Sequence, residues 1–145
     1  MVPAGSVDAQ PSALTERTAS CSCGELKAVC QGEPPRVSVC HCGACKKRTG
    51  SAFAWNATYS AEQVTVSGER RAWARSSEDG RWCRQHFCPR CGATVFYEIE
   101  ARPGMVTIPA GAFADPSFVE PSVSVYGELR CPWVRIEIEG TLTEI

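Results

Sequence analysis

The sequence predicts a mostly β fold, on three observations. From Glu25 onward, short alternating or β-branched runs are separated by turn residues. No long apolar pattern recurs at the helical period. Ten cysteines lie among 145 residues, seven of them in three tight groups, so a single domain of short antiparallel strands around a structural zinc clamp is expected. A chain of this length fits one domain of ordinary size. Met1 to Ser20, rich in Ala, Ser, Pro and Thr, reads as a flexible N-terminal tail, and residues 21–145 as the zinc-binding domain.

Taken in order, Glu25 to Cys30 alternates, with Leu26, Ala28 and Cys30 on one face, until Gln31-Gly32-Glu33-Pro34-Pro35 stops it. Val37 to Cys40 follows and places Cys40 at a strand end. After the candidate strand Ala52 to Tyr59, Ser60-Ala61-Glu62-Gln63 has the form of a capping box, enough for a single turn before Val64-Thr65-Val66. Arg71 to Ser76 and Arg81 to Phe87 flank Ser77-Glu78-Asp79-Gly80, whose Asp-Gly pair supplies the positive φ of a tight hairpin. Ala93 to Glu100, Met105 to Ile108 and Val134 to Glu139 complete the strands, separated by Arg102-Pro103-Gly104 and by a longer loop around Asp115 to Pro121. Trp55, Trp73, Trp82 and Trp133 fall in strand-like runs and are expected to pack.

Charge excludes some partners. Fifteen Lys and Arg nearly balance sixteen Asp and Glu, and a net charge of -1 gives no general drive toward nucleic acid or an anionic membrane. The first twenty residues carry no basic residue before Arg17 and no signal-peptide core, and no later run approaches about 18 apolar residues. A cytoplasmic protein is expected, in a compartment where thiols seldom form lasting disulfides. The C-x-C spacing also opposes a disulfide framework, because bridging such near neighbours is strained and closes almost no loop.

The three groups are Cys21-Ser22-Cys23-Gly24, Cys40-His41-Cys42-Gly43-Ala44-Cys45 and Cys88-Pro89-Arg90-Cys91-Gly92. The last has the C-P-x-C-G form of a zinc knuckle, in which Gly92 allows the turn that aims backbone N–H groups at sulfur. A structural zinc takes four ligands, so Cys21, Cys23, Cys88 and Cys91 can combine as a clamp. Cys40, Cys42 and Cys45 then stand alone, with the ligand count of a catalytic zinc that keeps a position open. A second partition closes this group with His41, Cys83, His86 or Cys131 and makes both sites structural. His41, between two ligands, reads as an exposed or locally hydrogen-bonded imidazole, and His86 similarly. Cys30, Cys83 and Cys131 read as small buried hydrophobes.

Three thiolates leave a zinc site formally anionic, which weakens its power to acidify water compared with three imidazoles. A soft site of this kind suits another sulfur, kept deprotonated while it attacks a small electrophile, so the expected class is carbon–sulfur bond formation or cleavage. Lys46-Lys47-Arg48 directly follows the third thiol and can hold the carboxylates of an anionic thiol such as glutathione. The other reading of the three is a solvated surface. Thr49-Gly50-Ser51 allows a tight turn beside the metal.

Taken together, Cys21-x-Cys23-Gly24, Cys40-His41-Cys42-x-x-Cys45 with its basic run and Thr49-Gly50-Ser51-Ala52-Phe53, Phe87-Cys88-x-x-Cys91-Gly92 and Pro132-Trp133 resemble the glutathione-dependent formaldehyde-activating enzymes and their zinc-binding relatives. The resemblance covers most of Cys21 to Gly140. It implies a β-tent fold, structural ligands Cys21, Cys23, Cys88 and Cys91, and a catalytic ion on Cys40, Cys42 and Cys45. It also implies condensation of glutathione with formaldehyde to S-hydroxymethylglutathione, or the reverse. His86 stands where many relatives are expected to carry arginine, which bears on substrate specificity. The runner-up functions are a non-enzymatic zinc module that binds a protein, and a lyase for a different thiol or aldehyde.

Overall fold

Period-two alternation gives most strands an apolar side and a polar side, and the two sides here do different work. The computed structural model describes residues 14–76 and 79–145. Those residues form β1 (Glu16–Ser20), β2 (Lys27–Gln31), β3 (Arg36–Cys40), helix α1 (Gly43–Thr49), β4 (Ala54–Ser60), β5 (Val64–Ser67), β6 (Arg71–Ser76) and β7 (Trp82–Phe87). They continue with β8 (Thr94–Ile99), β9 (Met105–Pro109), β10 (Val123–Val125) and β11 (Thr143–Glu144). An eight-stranded sheet runs in the order β11, β10, β3, β4, β9, β8, β7, β6, and a smaller sheet in the order β1, β2, β5. All pairs are antiparallel except β3 with β10 and β10 with β11. The mostly β, single-domain class is what the alternation predicts.

One face of the large sheet, with Val37, Ala57, Tyr59, Phe96 and Ile108, is buried in a common core with Ala19, Ala28 and Cys30 of the small sheet and with Leu26 just before β2. Full burial of Leu26, Val95 and Ile108 stabilises by about 1.5–3 kcal/mol each. The opposite face is polar. Arg36 on β3 lies opposite Thr58 on β4, Thr58 opposite Thr107 on β9, and Thr107 opposite Tyr97 on β8. Two positions along β3 from Arg36, Ser38 faces Asn56, and two further Cys40 faces Ala54 at the strand end.

Several expectations need correction. Glu16–Ser20, placed in the tail, forms a strand along Lys27–Gln31, so the domain starts before Cys21; the remainder of the tail to residue 13 lies outside the described residues. The second cysteine group, for which no helix is expected, leads into α1, a seven-residue helix too short to show a 3.6-residue pattern. Val134 to Glu139 keeps its alternating burial but joins no ladder. At its ends the Val134 N–H closes a turn to the Cys131 carbonyl at 2.9 Å, and the Glu139 N–H donates to the Glu120 carboxylate at 3.1 Å. Trp73 and Trp133 are 57% and 75% exposed and Trp82 is also exposed, so only Trp55 of the four joins the core, in a T-shaped contact with Phe118. The capping box is present at Ser60 and Gln63, and β6 pairs with β7 in the expected hairpin, whose residues 77 and 78 lie outside the described set. No helix among the described residues is long and apolar enough to cross a membrane.

Candidate metal centres and the cavity beside them

Two knuckle turns bring the first thiol set together. Each is closed by a glycine at positive φ, Gly24 at 84° and Gly92 at 82°, after its second cysteine. The turns aim N–H groups at sulfur, from Leu26 to Cys21 Sγ at 3.2 Å and from Arg90 to Cys88 Sγ at 3.3 Å. The Cys91 thiol is pulled down to about 6, first by the Ala93 backbone N–H and next by that of Cys23. The four sulfurs of Cys21, Cys23, Cys88 and Cys91 lie within 4.8 Å of one another, with Cys23 at 3.7 Å from Cys21 and 3.6 Å from Cys88. Metal–sulfur bonds of about 2.3 Å in a tetrahedron require sulfurs about 3.8 Å apart, so the set fits a four-thiolate ion. Such an ion ties the turn between β1 and β2 to the turn between β7 and β8.

The second set is built by a helix start at a strand end. Cys40 closes β3, and Cys42 is the N-cap of α1, its sulfur accepting the Cys45 N–H at 3.3 Å. The three sulfurs lie within 4.8 Å of one another and all three residues are buried. Cys42 is driven far below the ordinary thiol value, first by the Cys40 and Cys45 side chains and then by the N–H groups of Cys45 and Ala44. Among the described residues no fourth His, Cys, Asp or Glu ligand joins the group. The donors fit a soft ion held by three thiolates with one position left over.

These thiols form one end of a cavity of about 340 Å³ on the polar face of the large sheet. Five arginines line it, Arg36, Arg48, Arg75, Arg81 and Arg102, against one acid, Asp79. The Arg48 guanidinium stacks 4.7 Å from the Tyr97 ring centroid and donates to Asn56 Oδ1 at 3.3 Å. Tyr97 lines the same space, and burial holds its phenol protonated, above the usual tyrosine range.

The basic run that follows Cys45 is divided. Arg48 lines the cavity, whereas Lys46 Nζ donates to the Leu129 carbonyl at 2.6 Å and Lys47 lines a separate depression with Trp73 and Gln85. All three sit in the last turn of α1, where cations are favoured by the helix dipole. Cys83 is buried and lines the cavity without joining the thiol group, Cys30 is buried in the core, and Cys131 is half-buried. His41 is neither exposed nor hydrogen-bonded: it is 0% exposed, tilted against Phe53 at 5.8 Å, and both ring nitrogens lack partners among the described residues. Burial and then Arg130 depress its pKa, so the imidazole is neutral. His86 stacks on Phe96 at 4.2 Å and bonds Glu98 Oε1 at 2.7 Å, away from the cavity lining. Sequence reasoning did not single out Arg36, Arg75, Arg81, Arg102 or Tyr97, which line the cavity. The available signal was alternation, which sets Arg36, Ser38 and Cys40 on one side of β3.

No curated protein matches the chain. A Rhodobacter sphaeroides protein of known crystal structure is similar in fold, with a TM-score of 0.51 and 17% sequence identity over 72% of this chain and 91% of that one. The profile of the glutathione-dependent formaldehyde-activating enzymes matches residues 16–129, from β1 to the segment that carries Leu129. With that match over most of its length, the chain belongs to the family of glutathione-dependent formaldehyde-activating enzymes.

Proposed function

We propose that the chain is a zinc-dependent carbon–sulfur lyase of the S-(hydroxymethyl)glutathione synthase type. It condenses glutathione, or a related thiol, with formaldehyde or another small aldehyde to an S-hydroxymethyl adduct. The observation that carries this reading is a set of three buried thiols with no fourth ligand among the described residues, opening into a cavity lined by five arginines. Two zinc ions per chain are proposed, a structural one on Cys21, Cys23, Cys88 and Cys91 and a catalytic one on Cys40, Cys42 and Cys45. Zinc at the second set would supply a dication that keeps a substrate thiol deprotonated at neutral pH.

The chain's own side chains do the rest. Arg48, braced by Asn56 and Tyr97, receives a substrate carboxylate and fixes the distance from the sulfur to its anchor. Lys46 is a positioning residue, tying α1 to the Leu129 carbonyl. As the sulfur lone pair forms the carbon–sulfur bond, the carbonyl π pair moves onto oxygen, and the Tyr97 hydroxyl donates a hydrogen bond to that oxygen before it is protonated. No electron is gained or lost, and the proton released by the thiol balances the one taken by the adduct. Ten free cysteines suit a reducing cytoplasm, and the partners are small molecules rather than nucleic acid or membrane.

The test is the condensation rate with zinc-loaded protein, read against a protein-free control because the reaction also proceeds unaided. An excess rate with glutathione is expected, weakening with salt as exposed charge contacts are screened over about 10 Å at 0.1 M. Tyr97→Phe is expected to lower that excess on the order of tenfold while leaving glutathione affinity unchanged. A rate equal to the control with every thiol tried overturns the enzyme reading and favours the partner-binding module. Acceleration with other thiols alone overturns only glutathione.

A further inference from the structure

The cavity has a second end. Arg36, at the start of β3, is four residues from Cys40 at its finish, so the two lie roughly 13 Å apart at about 3.3 Å per strand residue. Arg102, in the turn between β8 and β9, lines the cavity together with Arg36. The two are close enough to repel: burial first, and then the Arg102 charge, lower the Arg36 pKa. The ion pairs among the described residues engage Arg17, Arg84, His86, Arg90 and Arg130, and none uses either cation. Beneath them the floor is polar, with Thr58 and Thr107 hydroxyls bonded at 3.0 Å in the same cross-strand row as Arg36. Two partly buried arginines that line one cavity with two hydroxyls, near enough to feel each other's charge, favour a group that brings negative charge and several acceptor oxygens.

We propose that Arg36 and Arg102 form an anion subsite at the end of the cavity remote from the thiols, which selects substrates carrying a carboxylate or phosphate roughly 10 Å from the reacting sulfur. Glutathione meets that requirement through its γ-glutamyl carboxylate, whose carbon is about eight bonds from the sulfur on the middle residue and roughly 10 Å from it when extended. A small neutral thiol does not. That the sulfur end sits on Cys40, Cys42 and Cys45 rests on the function proposed above, whereas the anion contact stands apart from it.

Binding to the zinc-loaded protein is measured by calorimetry for four probes: glutathione, S-methylglutathione, 2-mercaptoethanol and glycerol phosphate. Parent, Arg36→Gln, Arg102→Gln and Arg81→Gln proteins are compared, each checked by its thermal melt. Arg36→Gln and Arg102→Gln are expected each to weaken glutathione and S-methylglutathione about tenfold, as loss of one bidentate contact does, and to leave 2-mercaptoethanol unchanged. Arg81→Gln, which removes a cavity charge outside the pair, is expected to change glutathione less than threefold. Glycerol phosphate binding that is lost in the same two variants assigns phosphate as the group, and its failure to bind assigns carboxylate. Unchanged glutathione affinity in both variants, or an equal loss in Arg81→Gln, overturns the subsite. Failure of 2-mercaptoethanol to bind the parent while S-methylglutathione binding still depends on Arg36 and Arg102 refutes the sulfur contact and leaves the subsite standing.

Discussion

A Cys88→Ser variant is expected to melt about 10 °C or more below the parent. Cys88 is fully buried in the main core cluster, and its sulfur stands 3.6 Å from Cys23, so it joins the β7–β8 turn to the β1–β2 turn. Structural zinc contributes roughly 10–16 kcal/mol in isolated zinc-binding peptides, and losing one of four ligands forfeits on the order of 3 kcal/mol of that. For a domain of this size each kcal/mol moves the midpoint by about 3–4 °C. Chelation of the parent is expected to produce a similar or larger drop, with one ion leaving before the other because the three-thiol set holds it with fewer ligands. A melt within about 2 °C of the parent would show that Cys21, Cys23, Cys88 and Cys91 do not clamp the fold.

Cys42→Ser is expected to do the opposite: to reduce the excess condensation rate at least about 100-fold, to the level of the protein-free control, while the domain stays folded. The local geometry explains why the fold survives. Cys42 caps α1 by accepting the Cys45 N–H, and serine is among the best residues for that role, so the helix start is kept while a metal-binding thiolate is removed. The group it belongs to, with Cys40, Cys45 and Ala54, is a small cluster apart from the core that joins the two sheets. The melting midpoint should fall by less than half the drop of Cys88→Ser. Equal depression in both variants would refute the division into a structural and a reactive set.

Much of this architecture was legible because strands and knuckles are local. Leu26, Ala28 and Cys30 alternate over five residues and are all fully buried, and the capping box at Ser60 forms the single turn its spacing calls for. The thiol groups were legible for the same reason, since Cys21 with Cys23 and Cys88 with Cys91 each share one turn. What stayed hidden depends on contacts distant in sequence. β10 and β11 are three and two residues long and exist by parallel pairing, Ser124 with Val39 and Val123 with Thr143, which no local pattern encodes. Val134 to Glu139 has the pattern of a strand, yet side-chain and turn bonds take the N–H groups at its two ends. The lysines beside Cys45 were adjacent in sequence to the three-thiol set, whereas helical rotation sends Lys46 toward Leu129 and leaves Arg48, alone of the run, in the cavity. The other cations arrive from β3, from β6 and from the β6–β7 and β8–β9 turns.

Cobalt substitution offers the most direct test of the open site, because tetrahedral cobalt reports its thiolate count in its absorption. Protein loaded with two cobalt ions and titrated with glutathione is expected to show one site unchanged and one gaining a thiolate-to-metal band, with the gain absent in Cys42→Ser. Spectra in which both ions already carry four protein ligands, and which no thiol alters, would contradict a reactive site at Cys40, Cys42 and Cys45.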